Sequence, residues 1–138
     1  MSISLAKIED IPSIAEAMAD VGLPIDAEAV SRYFFTGDHG EHNDGLRGGL
    51  VARNSDGSIV GFCGLTPCAV YVNGMYSDAY QMGILGVRRG YGAVMFEMMD
   101  RVLEIARISL VFANTANKKS SQLWTQYAGF EQGGDLNA

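Results

Sequence analysis

The sequence is poor in the residues that build disulfide frameworks, metal clusters and nucleic-acid surfaces. Two cysteines, two histidines, three prolines and one tryptophan occur in 138 residues. Cys63 and Cys68 lie in the apolar stretch GFCGLTPCAV, at a spacing that fits neither a CxxC redox pair nor a zinc site. They read as two buried, reduced thiols in or near the core, suited to a reducing compartment. His39, Glu41 and His42 fall in GDHGEHNDG, where no helix holds them on one face, so a solvated loop and no metal are expected. Basic residues are scarce as well: ten against sixteen acidic ones, a net charge of -6, which argues against nucleic acid as the main partner. No apolar run approaches the ~20 residues that span a bilayer. The start MSISLAKIED lacks the basic head and apolar middle of a signal peptide. A soluble cytoplasmic protein with no membrane partner is therefore expected. What is abundant is glycine, 17 of 138 residues, about 12% where about 7% is usual. With 48% hydrophobic residues, residues 1–138 are long enough to form one domain with its own core.

The opening ISLAKIEDIPSIAEAMADVG reads as a short strand, then a helix capped by Asp10, with Pro12 in its first turn and a stop at Gly22. Ile11, Ile14, Ala15 and Met18 form its apolar stripe. A second helix follows Asp26 through AEAVSRYFF to Thr36 and Gly37, with Tyr33, Phe34 and Phe35 as core or groove lining. From Gly48 the pattern turns to strands: GGLVARNS, the turn SDGS, IVGFCGLTPCAVYV, a hairpin turn at Asn73 and Gly74, and MYSDAYQMGIL. AVMFEMMDRVLEIARI has helical periodicity, with Met95, Met98, Met99, Val102, Ile105 and Ala106 on one face. That stripe reads as core more readily than as a methionine-rich groove. SLVFAN reads as a buried strand, and NKKSSQLWTQYAG as a last helix. The whole is one α/β (α+β) domain without internal repeat or linker.

Between the hairpin strand and the methionine-rich helix lies Arg88-Arg89-Gly90-Tyr91-Gly92. Glycines let a backbone approach a ligand closely, and a helix N-terminus offers free N–H groups with partial positive charge. Two adjacent guanidinium groups would complement phosphate oxygens. A purely structural turn is the alternative reading of this segment.

The order of strand, RRGYG, amphipathic helix, buried strand ending at Asn114, and then NKKSSQLWTQYAGF resembles the GNAT superfamily of acyl-CoA-dependent N-acyltransferases. RGYGAV is similar to the family's Q/R-x-x-G-x-G/A signature, with Arg89 and Gly92 matching and Val94 departing. The likeness continues through Asn114, Asn117, Ser120, Leu123, Trp124, Gly129 and Phe130. It implies a mixed, mostly antiparallel central sheet, splayed between two strands and flanked by about four helices. It further implies acetyl-CoA as acyl donor, with pantetheine along Ile84 and Leu85 and pyrophosphate on Arg89, Gly90, Tyr91, Gly92, Ala93 and Val94. Asn117 and Ser120 match positions that flank the pantetheine. At Val94 a β-branched side chain could crowd the pyrophosphate.

Transfer to an amine requires a neutral nucleophile, an oxyanion partner and a proton for the departing thiolate. A lysine-like amine of pKa ~10.4 is neutral at about one part in 2,500 at pH 7, a penalty of roughly 4.6 kcal/mol. A thiol of pKa ~8.5 is far less demanding as a leaving group. The position where the resemblance implies a carboxylate base is occupied by Gln81, which cannot act as one. Asp78, upstream on the same strand, is the base candidate, although three residues' separation puts it on the opposite face from Gln81 unless a bulge intervenes. The family's acidic tyrosine position holds Thr125, and Tyr127 nearby is the candidate acid. These substitutions point to an acceptor amine of low pKa, such as an α-amine. Asp38, Glu41 and Asp44, with Phe34 and Phe35, suggest a cationic small molecule or a peptide terminus as acceptor. The alternative function is a non-catalytic acyl-CoA-binding or protein-interaction module. The chain also lacks the family's final strand after Phe130, which a short sheet, an incomplete chain or a homodimer would explain.

Overall fold

The structure, a computed structural model, describes residues 1–23, 25–35, 48–106, 110–113, 122, 125, 126 and 129. The predicted last helix, the loop around His39 and His42, and the segment after Phe130 lie outside the described residues, apart from a helical position at Gln122 and a turn at Thr125 and Gln126.

Among the described residues five strands form one sheet in sequential order: β1 Ser2–Leu5, β2 Leu50–Arg53, β3 Ile59–Val72, β4 Met75–Val87 and β5 Leu110–Ala113. All pairings are antiparallel except β4 with β5, which is parallel. Asn73 and Gly74, both with positive φ (51° and 85°), make the tight turn of the long β3–β4 hairpin. Helix α1 (Ile11–Asp20) and the four-residue α2 (Ala27–Val30) cover one face, and α3 (Gly92–Ala106) covers the other. On α1, Ile11, Ile14, Ala17 and Met18 are buried, so Ala17 takes the central place that periodicity gave to Ala15. The chain leaves α1 through Gly22, φ +85°, with Leu23 N–H donating to the Met18 carbonyl at 2.9 Å. Asp26 caps α2 by accepting from Ala29 N–H at 2.8 Å. The predicted continuous second helix instead widens after Val30 into a turn of π-helical pitch over Ser31–Phe35.

The methionines of α3 are core, not groove: Met98 and Met99 are fully buried with Val94 and Val102 against Leu65, Tyr80 and Met82. The opposite face packs Ile14, Met18, Val30 and Phe34 on Val51 and Phe62. Phe34 meets Phe62 edge-on at 5.4 Å between ring centroids.

Asp10 stands at the start of α1 but does not cap it. Its carboxylate turns back to accept from Lys7 N–H (2.9 Å) and sideways to the Arg53 guanidinium of β2 (2.6 Å), tying helix to sheet. Burial alone would raise its pKa, but the Arg53 hydrogen bond, the Lys7 N–H and the nearby positive charges outweigh it and hold the carboxyl below 3.8. Because the folded value is the lower one, this stabilisation is present above the unfolded pKa and is lost as pH falls through the folded one. Asp10→Ala, which strands Arg53, is expected to cost about 1–3 kcal/mol at pH 7, and to shift the midpoint less below pH 3. Urea titrations at the two pH values measure the difference.

Candidate functional site

The candidate site lies along β4 and at the entrance of α3. The described part of β5 pairs with β4 from Ala79 to Met82. From Gly83 to Val87, β4 has no β5 partner among the described residues. β4 then ends in a tight turn, closed by Tyr91 N–H to the Arg88 carbonyl at 3.1 Å, whose third position requires the positive φ of Gly90 (+93°). α3 starts immediately after it. Among the described residues, the N–H groups of Arg89, Gly90, Gly92 and Ala93 donate to no backbone carbonyl, as expected of a helix entrance. A Cβ built on Gly92 meets nothing within 4 Å, so packing within the chain does not require glycine there. The open space and the free donors together fit an anionic group held against the backbone.

Beside this edge lies a bulge. Across the hairpin Gly64 pairs with Ile84 but Leu65 pairs with Met82, which leaves Gly83 as an extra residue on β4. The buried ring of Phe34 lies over both glycines: an added Cβ would stand 2.5 Å from it at Gly64 and 2.9 Å at Gly83. Two glycines and one phenylalanine thus interlock at the point where β4 changes course. Next to them opens a pocket of about 420 Å³, lined by apolar Ile25, Phe34 and Ile84, by the backbone at Gly83, and by Arg32, Tyr33, Thr66 and Gln81. Thr66 Oγ1 donates to the Tyr33 carbonyl at 3.1 Å and so ties the wide turn to β3.

The sequence-predicted residues fall unevenly on this geometry. Ile84 and Leu85 lie on the part of β4 that has no β5 partner among the described residues, and Arg89, Gly90, Tyr91, Gly92 and Ala93 form the turn and helix entrance. Tyr91 also packs on the α3-side core, and its phenol accepts from Asn54 Nδ2 at 3.4 Å. Val94 requires a correction: its N–H is bonded to the Tyr91 carbonyl (2.9 Å) and its side chain is 1% exposed in the core, so it neither offers a free donor nor crowds the loop. Arg88 is corrected as well. It turns away from Arg89 to Asp20 of α1, at 3.2 Å, so at the turn one arginine, not two, is without an ion pair among the described residues. Asp78 is exposed opposite Ala69, and strand alternation puts it with Tyr80 on the α3 side, whereas Gln81 reaches the pocket on the other side. The bulge lies beyond both residues and does not bring Asp78 round, so Asp78 is set off the pocket. Asn117, Ser120 and Tyr127 lie outside the described residues. Cys63 is fully buried, and burial pushes its thiol up to about 12, while Cys68 is only partly buried, with its own pKa raised by burial. Neither is poised as a thiolate nucleophile. Arg32 and Gly83 escaped sequence reading; the signal available for the second was a glycine inside a strand, which marks a bulge or a close approach.

No protein-family model and no curated protein matches the sequence. Solved structures do match along nearly its whole length. A ribosomal-protein-alanine N-acetyltransferase from Brucella melitensis biovar Abortus 2308 aligns over 98% of this chain and 96% of its own, with TM-score 0.64 and 19% identity. An acetyltransferase from Trypanosoma brucei aligns over 98% and 95%, with TM-score 0.64 and 16% identity. A GCN5-related glucosamine N-acetyltransferase region of a fungal multi-domain β-N-acetylglucosaminidase aligns over 93% of this chain and 16% of that one, with TM-score 0.63 and 17% identity. At such identities the likeness concerns architecture: a mostly antiparallel sheet with helices on both faces and a parallel pairing of β4 with β5. The chain has the fold of the GNAT superfamily of N-acyltransferases.

Proposed function

We propose that this chain transfers an acetyl group from acetyl-CoA to the amine of a small molecule or peptide. The observation that carries the reading is the conjunction of a β4 segment, Gly83 to Val87, that has no β5 partner among the described residues with a glycine-bearing helix entrance where the N–H groups of Arg89, Gly90, Gly92 and Ala93 donate to no described backbone carbonyl. In this reading the β4 edge holds the amide-bearing pantetheine arm as an added strand would be held, and the Arg89 side chain with the N–H groups of Arg89, Gly90, Gly92 and Ala93 holds the pyrophosphate. The thioester supplies an activated carbonyl carbon. The amine nitrogen bonds to that carbon, the carbon–sulfur bond breaks, and the proton shed by the amine ends on the departing thiolate.

Among the described residues the pocket has no carboxylate lining, and Gln81 stands on the wall nearest the bulge. In this reading the acceptor arrives largely neutral. An α-amine of pKa ~7.7–8.0 needs only about 1 kcal/mol of deprotonation at pH 7, against roughly 4.6 kcal/mol for a lysine side chain. Tyr127 is the residue retained for protonating the thiolate. The test is release of CoA thiol from acetyl-CoA with α-amine and lysine-side-chain peptides across pH 6–9. The expected result is one thiol per amide formed, with the α-amine at least tenfold faster at pH 7. Equal rates would remove the low-pKa inference, and acetyl-CoA binding without transfer to any amine would favour the non-catalytic module.

A further inference from the structure

We infer that the pocket beside the bulge takes a compact α-amine whose apolar body carries a carboxylate, with Arg32 as the group that recognises the carboxylate. This rests on the transferase reading and names its acceptor. Ile25, Phe34 and Ile84 give the pocket an apolar floor, and Ile84 with Gly83 brings that floor up to the Gly83–Val87 segment of β4. Arg32 is the one charged side chain among the described lining residues. A polyamine or lysine side chain would meet a like charge there and no carboxylate among the described lining residues; Asp38, Glu41 and Asp44, on which the expectation of a cationic acceptor rests, lie outside the described residues.

Arg32 is also loosely held. Its contact with Glu28 is 3.7 Å long, with the two side chains 60% and 85% exposed, beyond hydrogen-bond length and open to exchange with a ligand oxygen. The guanidinium lies 5.1 Å from the centre of its own Tyr33 ring, and Thr66 fixes the Tyr33 carbonyl. The planar fork is thus held near the pocket rim while keeping donors to spare, an arrangement suited to bidentate pairing with a carboxylate. Gln81, on the wall near the bulge, offers a neutral amide to the amine end. A free peptide α-amine is sufficiently neutral near pH 7.5 to need no base, which agrees with a pocket whose described lining supplies none.

The test uses the dipeptide Leu-Gly, its C-terminal amide, and spermidine, with acetyl-CoA for turnover and with CoA for binding by calorimetry. Wild-type protein is expected to prefer the acid over the amide at least tenfold in KM. Arg32→Ala should raise KM for the acid about tenfold, leave kcat within twofold, and change the amide little; Arg32→Lys should recover part of the loss. Equal use of acid and amide, a preference for spermidine, or an Arg32→Ala effect of the same size on both dipeptides would overturn the inference. Arg32-dependent binding of the acid without any acetylation would leave the pocket assignment standing and overturn the transferase reading instead.

Discussion

Gly64→Val is expected to lower stability by about 3 kcal/mol, seen as a fall in Tm of about 10 °C, although the change adds only a small apolar side chain to a strand. The reason is the ring of Phe34. A Cβ at Gly64 would lie 2.5, 2.6 and 2.9 Å from three of its atoms, and the ring is only 4% exposed and already edge-packed on Phe62. It has little room to yield. Phe34 also covers Gly83, so displacing it disturbs the bulge and the pocket wall as well as the core. Thermal melts of Gly64→Val and Phe34→Ala measure this; the second should lose about 3–5 kcal/mol by leaving a cavity. A Gly64→Val protein as stable as wild type would show that the ring does not hold the bulge.

Arg89→Ala combined with Gly92→Val should do the reverse, leaving stability within about 1 kcal/mol of wild type while weakening acetyl-CoA at least tenfold. The added side chain at Gly92 meets nothing in the chain, and valine is no poorer a helix former than glycine. What it fills is the space over the free N–H groups, and Arg89 is exposed with no ion pair among the described residues. Loss of binding with the fold intact assigns these residues to the ligand; loss of both assigns them to the turn.

Much of the frame was legible because it is local. The Asn73–Gly74 turn, the stop of α1 at Gly22 and the methionine stripe of α3 follow from short-range chemistry and periodicity, and each recurs in the structure. The site was legible where its residues are contiguous, at the turn before α3. It was hidden where it depends on residues far apart in the chain. Nothing local in YFF, FCGL or QMGI says that Phe34 sits over Gly64 and Gly83, or that Gly83 is the residue by which β4 exceeds its partner. Arg88 and Asp10 mislead for the same reason: their direction is set by Asp20 on α1 and Arg53 on β2, partners that sequence neighbours do not reveal.

The central claim is that the Gly83–Val87 segment of β4, with the entrance of α3, binds acyl-CoA. Titration of acetyl-CoA into the protein, followed by calorimetry and by Tm, tests it most directly. The account predicts one molecule bound per chain, about 2.7 kcal/mol of added stability at a hundredfold excess over Kd, and loss of both signals in the Arg89→Ala, Gly92→Val double variant. No binding at millimolar acetyl-CoA, or full binding by that double variant, would contradict it.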